Sequence, residues 1–328
     1  MGSTKSKLIQ LFKERKDYVS GQKLAEELEI SRTAVWKNIK ELEKDGFVFE
    51  SLKRKGYRLL ESPVSISPSD IQQSLRTTEL GKPLFYFQEV TSTQEKIHML
   101  AKEGYPNGTV VLAGEQTAGK GRRKREWSSL KGKGMWMSVL LRPPFSPGKA
   151  PQLTLVTATT IVRVLQEFGV TATIKWPNDI MIGDRKVCGI LTEMKAELDC
   201  IDYLVLGIGL NVNQAEAEMP EELKKKATSL YNEKNEVFKI EEIVSHLLNR
   251  FEQELDRFYK EGFLPFQKEW QASGYKTGEW IDVSTWNKPW RAKVIRIEED
   301  GALTVLDEYG EEQRLYSAEI LWNDHYHS

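Results

Sequence analysis

Residues 109–127 have the sequence TVVLAGEQTAGKGRRKREW. The apolar, β-branched start of this stretch, residues 109–112, predicts a buried strand. The strand pattern then breaks at Gly119, Lys120 and Gly121, and four consecutive cations follow at 122–125. Glycines let backbone N–H groups approach a ligand closely, and the cations surround that backbone with positive charge. The stretch therefore predicts a strand that ends in an anion-binding loop, with phosphate as the favoured anion.

A P-loop is excluded by the residue that follows Lys120. Residues 114–120 have the spacing of the first part of a Walker A motif, but Gly121 stands where a Ser or Thr hydroxyl would bind Mg²⁺. The basic segment that follows also lacks the pattern of a helix that could receive phosphates. Considered alone, the stretch leaves one alternative, a solvated surface loop with incidental charge.

The length of 328 residues predicts two or three domains. No apolar run approaches membrane-spanning length, and the first residues lack the apolar core of a signal peptide. Cys188 and Cys200 lie in apolar stretches, which predicts reduced core thiols in a cytoplasmic protein. Four scattered histidines argue against a zinc site, so no metal ligands are predicted.

The first 62 residues carry 14 Lys and Arg against 10 Asp and Glu, which indicates a polyanionic partner. Three helical segments occur here, and Ser31 opens the third. Val35, Ile39 and Leu42 share one face of that helix, so its polar side chains lie on the other. Two β-patterned runs follow and flank a basic tip. This order predicts a winged helix-turn-helix.

A winged helix places its third helix in the major groove and its wing on the DNA backbone. The residues predicted to contact DNA are Arg32, Thr33, Trp36, Lys37, Lys40, Lys53, Arg54 and Lys55. The alternative is a three-helix protein-interaction module with Lys-rich solubility charge. A single winged helix binds weakly, so we expect a homodimer that contacts two half-sites of operator DNA.

Two features of the central region bear on ligand binding. Ser92 and Glu95 fit a capping box at a helix start, and Thr93 and Gln94 between them could direct hydrogen bonds at a ligand. Gly207 and a second glycine two residues later lie within a strand. This position argues against a dinucleotide fingerprint and predicts close approach of a neighbour or ligand.

Five motifs follow one another along the central region: Ser92-Thr-Gln, Gly119-Lys-Gly-Arg-Arg-Lys-Arg-Glu-Trp127, Lys175-Trp-Pro-Asn-Asp179, Arg185-Lys186 and Gly207-Ile-Gly-Leu-Asn-Val-Asn213. Together they resemble the ordered motifs of biotin–protein ligases. With the winged helix in front, the whole chain resembles the BirA family of bifunctional biotin ligases and biotin-operon repressors. The sequence departs from that family at Lys120, where Arg is usual, and at Gln94, where Asn is frequent. Lysine keeps the charge of arginine but loses its bidentate fork.

The resemblance implies an α+β chain of three domains. These are a winged-helix DNA-binding domain at 1–62, a biotin- and ATP-binding catalytic domain at 63–275, and an SH3-like β-barrel at 276–328. The catalytic domain would contain a mixed β-sheet with helices, the class II synthetase-like fold of biotin ligases. We also expect exposed edges of the strands around 186–197 and 204–213 to serve as dimer surfaces.

The resemblance further implies roles for individual residues. The biotin pocket would use Ser92, Thr93, Gln94, Gln116, Lys120, Gly121 and Arg122. The nucleotide would lie near Arg122, Arg123, Arg125, Asn178 and Asn211, with Trp127 over the adenine. The predicted catalytic residues are Lys186, Arg122 and Asp179. Lys186 would bind the ligand carboxylate and then the acyl phosphate, and Asp179 would orient or deprotonate an acceptor lysine, unless it only closes a turn.

The implied function is ATP-dependent biotin ligation. Biotin and ATP would form biotinyl-5′-AMP, with Mg²⁺ accompanying the pyrophosphate, and the biotinyl group would pass to a lysine of the biotin carboxyl carrier protein of acetyl-CoA carboxylase or a related biotin enzyme. The adenylate would order the glycine-spaced basic loop and act as corepressor. Two alternatives stay open, a non-catalytic ligand-sensing repressor and a lipoate ligase.

Overall fold

The computed structural model describes residues 4–15, 17–44, 47–52, 55–61, 66–197, 200–285, 288–316 and 318–321. The chain divides into two compact units, Met1–Ser65 and Ile66–Ser328. The three-domain division inferred from the sequence stays a prediction.

The described part of the first unit contains three helices and a two-stranded antiparallel sheet. In chain order these are α1 (Thr4–Arg15), α2 (Gly21–Glu27), α3 (Arg32–Lys44), β1 (Val48–Leu52) and β2 (Gly56–Glu61). The predicted start of α3 is confirmed, because Ser31 Oγ accepts a hydrogen bond from the amide of Ala34. Val35, Ile39 and Leu42 are buried, which leaves the opposite face of α3 in solvent.

The second unit begins with helices and strands that alternate and ends with a run of strands. Its elements are α4 (Pro68–Ser74), β3 (Leu84–Val90), α5 (Thr93–Lys102), β4 (Val110–Gln116), β5 (Gly134–Leu141), α6 (Ala150–Glu167), β6 (Thr173–Lys175), β7 (Asp179–Ile182), β8 (Arg185–Glu197), β9 (Cys200–Asn211), α7 (Glu221–Lys224), α8 (Leu230–Lys234), α9 (Ile240–Glu261), α10 (Leu264–Ser273), β10 (Trp280–Thr285), β11 (Lys288–Ile297), β12 (Leu303–Leu306), β13 (Glu312–Leu315) and β14 (Glu319–Ile320).

A seven-stranded sheet forms the centre of this unit, with strand order β3-β4-β5-β9-β8-β7-β6. Strands β3 and β4 are parallel and the other neighbours are antiparallel, so the sheet is mixed, as the sequence predicted. Side chains of β4 alternate between the two faces: Val111 packs with Ile97 of α5, whereas Val110 and Leu112 join the core that includes α6 and α9. Helices therefore cover both faces.

The last five strands form a second antiparallel sheet, in the order β13-β12-β11-β10-β14. Apolar residues of this sheet, among them Ile281, Val283 and Val294, share one hydrophobic core with α6 and α10. The C-terminal sheet is therefore packed into the second unit.

The structure corrects one expected dimer surface. Over its length from Leu204 to Asn211, β9 is paired on one side with β5 and on the other with β8, so the expected exposed edge at 204–213 is wrong. Strand β8 is different, because β7 covers it only as far as Gly189. That an exposed edge of β8 serves as a dimer surface stays a prediction, and it now applies only to the part of β8 beyond Gly189.

The two cysteines also differ from each other. Cys188 is buried, as expected, but Cys200 is exposed, so the expectation of a core thiol is wrong for Cys200. Cys200 begins β9 at the far end of the β8–β9 hairpin, where it pairs with the exposed Glu197. Within the described ranges, no helix is long and apolar enough to cross a membrane.

Candidate active site

A cavity of about 520 Å³ opens in the second unit, at the end of β4 and across β8 and β9. Every ligand-binding and catalytic residue predicted from the sequence lines it: Ser92, Thr93, Gln94, Gln116, Lys120, Gly121, Arg122, Arg123, Arg125, Trp127, Asn178, Asp179, Lys186 and Asn211. These residues come from five separate stretches of sequence. The fold therefore brings the motifs together around one space that can hold a ligand of moderate size.

The glycine-spaced loop closes on itself beside the cavity. Trp127 N donates to Gly119 O at 2.9 Å, and Gly121 N donates to Arg125 O at 2.8 Å. A Cβ atom at Gly119 would lie only 2.5 Å from Trp127 O, so glycine is required for this closure. Arg123 and Lys124 adopt φ values of 56° and 61°, a left-handed conformation that costs energy in non-glycine residues. Strained backbone of this kind clusters at ligand-binding sites.

The indole of Trp127 packs against two glycines of the sheet. Gly189 and Gly209 are cross-strand partners in β8 and β9. A Cβ at Gly209 would lie 2.6 Å from the indole of Trp127, so the indole could not keep this position, and a Cβ at Gly189 would lie 3.0 Å from it, closer than ordinary van der Waals contact. The close approach predicted for the strand glycines is thereby confirmed, with Trp127 as the neighbour at Gly209. The Lys186 ammonium lies 5.0 Å from the centre of the same indole.

The capping box predicted at Ser92 is wrong. Ser92 precedes α5, but its hydroxyl makes no cap hydrogen bond. Glu95 bonds instead to Lys120 at 2.6 Å and to Thr91 at 2.8 Å, and the Lys120 bond lowers the pKa of the Glu95 carboxyl. Ser92 is fully buried, and its Oγ has no hydrogen-bond partner among the described residues. A buried hydroxyl without a partner is costly, so the Ser92 hydroxyl is a candidate for a hydrogen bond to a ligand.

Thr93, Gln94 and Gln116 form the wall next to Ser92. Gln116 Oε1 accepts the amide of Thr93 at 2.9 Å, and Gln116 Nε2 donates to Ser129 Oγ at 2.8 Å. Ser138, which the sequence analysis did not single out, lies behind this wall, fully buried and bonded to Thr93 and Gln94. No local signal marks Ser138, because it is one polar residue within an apolar strand.

Lys186 and Asp179 form an ion pair. Both were predicted to act in catalysis, and they lie on the neighbouring strands β8 and β7. Lys186 Nζ lies 2.7 Å from Asp179 Oδ1, so the ammonium and the carboxylate attract each other directly. The Lys186 backbone is held by Lys226 O, which accepts its amide at 2.8 Å, and by the Thr228 amide, which donates to Lys186 O at 2.9 Å. Burial raises the pKa of the neighbouring Cys188 thiol, which keeps it neutral.

Arg122 is oriented by Asn178. The guanidinium donates to Asn178 Oδ1 at 3.1 Å, and Asn178 Nδ2 donates to Ile190 O at 2.7 Å. Asn178 thus links the basic loop, through Arg122, to β8. Asn211, at the end of β9, donates to Thr228 O at 3.0 Å.

Positive charge dominates the cavity lining, which includes seven cationic side chains and two carboxylates, Glu126 and Asp179. Two of the cations, Lys175 and Lys226, were not predicted as site residues. Ala318 and Ile320 extend the lining to the C-terminal sheet. No group of three His, Cys, Asp or Glu that could hold a metal ion occurs in the part of the chain that the structure describes.

The first unit presents the predicted DNA-binding side chains to solvent. On α3, Arg32, Thr33, Trp36, Lys37 and Lys40 are all exposed, and Trp36 is 51% exposed although it is a large aromatic residue. Lys55 of the wing is exposed and lies 5.7 Å from the ring centre of Tyr18. Lys53 and Arg54 lie outside the described residues.

Two regions of the chain match known protein families. Residues 84–211 match the Biotin/lipoate A/B protein ligase family, and residues 4–58 match an HTH domain. The bifunctional ligase/repressor BirA of Bacillus subtilis (strain 168) is 41% identical over 95% of this chain and 97% of its own length. The chain belongs to the BirA family of bifunctional ligase/repressors.

Other members of this family and solved structures agree with the assignment. The BirA protein of Escherichia coli (strain K12) is 29% identical over 78% of each chain. The biotin protein ligase of Aquifex aeolicus, solved in complex with biotin and ATP, is 31% identical, has a TM-score of 0.66 and matches 74% of this chain and 99% of its own. The family resemblance and the predicted α+β class, with an N-terminal HTH domain and a central mixed sheet of the biotin ligase fold, are confirmed. The SH3-like barrel stays a prediction.

Proposed function

We propose that this chain is an ATP-dependent biotin–protein ligase that also acts as a transcriptional repressor responsive to biotinyl-5′-AMP. The observation that carries the ligase proposal is the cavity in which all fourteen predicted site residues converge, with seven cations in its lining. Two anionic reactants, a carboxylate and a nucleoside triphosphate, need such an environment to approach each other.

In the first step the biotin carboxylate oxygen attacks the α-phosphorus of ATP and pyrophosphate leaves. The carboxylate is already ionised at neutral pH, so this step needs no general base. Lys186 can attract the carboxylate, and Arg122, held by Asn178, can stabilise charge on phosphate oxygens. Mg²⁺ would arrive with the phosphates of ATP, since phosphates and water can supply most of its ligands.

In the second step the amine of a carrier-protein lysine attacks the acyl carbon and AMP leaves. That amine has an ordinary pKa of about 10.4 and must lose a proton. Asp179 lines the cavity and is the candidate acceptor. Asp179 is paired with Lys186, and an incoming carboxylate would compete for the ammonium and release Asp179.

The repressor proposal rests on α3. Cationic, hydroxyl and indole side chains on one exposed helical face suit contacts with phosphates and base edges. A homodimer would present two such helices to the two half-sites of an operator. The adenylate would favour that dimer by neutralising and ordering the basic loop.

One assay separates the three candidate activities. The full chain is incubated with ATP, Mg²⁺, an acceptor domain with a biotinylation lysine, and either biotin or lipoate. We expect pyrophosphate release and a mass increase on the acceptor lysine with biotin. Pyrophosphate release and acceptor modification with lipoate alone would identify a lipoate ligase. Biotin binding without pyrophosphate release would identify a non-catalytic sensor.

A further inference from the structure

Gln214 is a buried polar residue of the cavity lining that has no part in the two reaction steps above. It follows the last residue of β9 by three positions and is only 3% exposed. Its main-chain oxygen accepts Ser229 Oγ at 2.6 Å, but its side-chain amide makes no hydrogen bond to another residue of the described ranges. An amide offers two N–H donors and one oxygen acceptor, and such a group is costly to leave unpaired in the interior. The Gln214 amide is therefore a candidate for hydrogen bonds to a ligand.

The backbone that leads to Gln214 is already fixed. The amides of Val212 and Asn213 both donate to Lys133 O, at 3.1 and 2.7 Å. The Asn213 side chain exchanges two hydrogen bonds with the backbone of Phe238: Nδ2 donates to the carbonyl oxygen at 2.8 Å, and Oδ1 accepts the amide at 2.9 Å. A ligand that bonds to Gln214 therefore has to order only one side chain, which keeps the entropic cost of the contact small.

Gln214 lies toward the end of the cavity that is distant from the predicted biotin wall. Gln94 of that wall packs against Gly207 of β9, where a Cβ would lie 2.9 Å from its side-chain amide. Strand β9 continues from Gly207 to Asn211, and residues of a strand advance by about 3.3 Å each, so this part of β9 spans about 13 Å. A ligand whose ring system binds beside Gln94 can therefore reach Gln214 only with its other end.

The segment after β9 supplies a lining that suits a planar base. Met219, which is 5% exposed, and Leu223 both line the cavity, and apolar side chains of this kind contact the faces of a ring system. Asn211 is a second amide in this region, but it has committed one proton to Thr228 O at 3.0 Å. Gln214 thus adds an uncommitted donor and an uncommitted acceptor to an otherwise apolar segment.

We propose that Gln214 determines the specificity of the site for adenine. Its Oε1 accepts a hydrogen bond from the exocyclic amine of the base, and its Nε2 donates to the adjacent ring nitrogen. Adenine presents an amine beside a ring-nitrogen acceptor, and a single amide can pair with such an edge through two hydrogen bonds. The inference rests on the proposed function, in which the second reactant is ATP.

The test compares ATP with purine riboside triphosphate, which lacks only the exocyclic amine. Pyrophosphate release by the full chain is measured over a range of each nucleotide at saturating biotin. Wild type should prefer ATP in kcat/KM by about 10- to 100-fold, because the analogue leaves the buried Gln214 oxygen without a donor. In Gln214→Leu, which has a similar size and no hydrogen-bonding group, this preference should fall to about threefold or less, and the dissociation constant for biotin should not change.

Gln214→Glu separates the acceptor from the donor. A carboxylate still accepts the amine of adenine, but it cannot turn to donate to inosine triphosphate, in which an oxygen replaces that amine. The preference for ATP over inosine triphosphate should therefore rise in Gln214→Glu and fall in Gln214→Leu. Asn213→Leu is the control for a structural role, because it breaks the two hydrogen bonds to Phe238 at a position outside the cavity lining. It should lower kcat/KM for both nucleotides alike.

Equal losses of kcat/KM for ATP and for its amine-free analogue in Gln214→Leu would show that Gln214 only supports the fold of this segment, and would overturn the inference. A wild type that uses both nucleotides equally well would refute the inference and leave the proposed ligase activity intact. A wild type that releases no pyrophosphate with biotin and ATP would overturn the proposed function, and this inference with it.

Discussion

Lys186 is the residue on which adenylate formation should depend most. Its ammonium is held beside Asp179 at 2.7 Å and lies within the cavity lining. We expect Lys186→Ala to slow pyrophosphate release by about 100- to 1000-fold, since a developing anion would lose a positioned cation. The measurement is single-turnover release of pyrophosphate with biotin and ATP. Lys195→Ala, at a half-exposed position of the same strand, is the control and should retain the wild-type rate. An intact burst in Lys186→Ala would contradict the assignment.

Asp179 should act mainly in the transfer step. Asn keeps the size of the side chain but cannot accept a proton, so Asp179→Asn should slow transfer to the acceptor lysine at least about tenfold more than adenylate formation. The two rates are measured separately, transfer starting from preformed biotinyl-5′-AMP. Because Asp179 also pairs with Lys186, equal losses in both steps would indicate that its role is to orient that ammonium and would refute the transfer role.

At the scale of elements, the exposed face of α3 is the predicted contact with DNA. Lys37 lies on that face, in solvent, opposite the buried Val35, Ile39 and Leu42. Removing one phosphate contact should make the slope of log K against log salt less negative by about 0.9, with similar weakening on specific and non-specific DNA. Lys37→Ala is therefore tested by binding assays over a range of salt concentrations. Lys7→Ala, an exposed lysine of α1, should keep the wild-type slope. An unchanged slope for Lys37→Ala would remove this contact from the proposal.

Helix α9 anchors the segment that leads into β3 through one carboxylate. The backbone amides of Thr78, Glu79 and Leu80 all donate to Glu252, at 2.6, 2.8 and 2.9 Å. Burial acts to raise the pKa of Glu252, but these donors favour the charged form and the net effect lowers it. We expect Glu252→Gln to destabilise the second unit by about 1–3 kcal/mol at neutral pH, because an amide is a weaker acceptor and presents one oxygen.

The pH dependence of this effect follows from the lowered pKa. A carboxyl whose pKa falls on folding stabilises the fold above its ordinary pKa, and that contribution is lost as pH falls through the folded value. The difference in thermal unfolding midpoint between wild type and Glu252→Gln should therefore be largest near pH 7 and shrink at strongly acidic pH. Asp256→Asn, at an exposed position of the same helix, should change the midpoint little at any pH. A difference that does not vary with pH would mean that the charge of Glu252 is not responsible.

At the scale of the whole molecule, the two functions belong to separate compact units. The predicted ligand site lies entirely within Ile66–Ser328, and the predicted DNA contacts lie within Met1–Ser65. A chain of residues 66–328 should therefore retain biotinylation of an acceptor domain within a few-fold of the full chain and lose DNA binding. In the full chain, biotin with ATP should increase both the dimer fraction in sedimentation and the affinity for DNA. Loss of ligase activity on truncation would show that the first unit contributes to catalysis.

The sequence by itself determined the elements and the chemistry. The spacing of Val35, Ile39 and Leu42 specified α3, because local backbone geometry imposes the helical period. The glycine-spaced cations after β4 predicted an anion-binding loop, and that loop lines the cavity. The ordered motifs also sufficed to predict the family and the residues that would share one site.

Only the tertiary structure decided which partner each side chain takes. Ser92 and Glu95 fit a capping box in sequence, but the Ser92 hydroxyl is unpartnered and the Glu95 carboxylate is held by Lys120, 25 residues away. Thr93 meets Ser138 across 45 residues, and Lys186 meets Asp179 across the β7–β8 turn. The interior position of β9 likewise depends on strand order, and Cys200 is exposed at the end of the β8–β9 hairpin. Periodicity is a property of a few neighbouring residues, whereas hydrogen-bond direction and ion pairing depend on segments that come together only when the sheet forms.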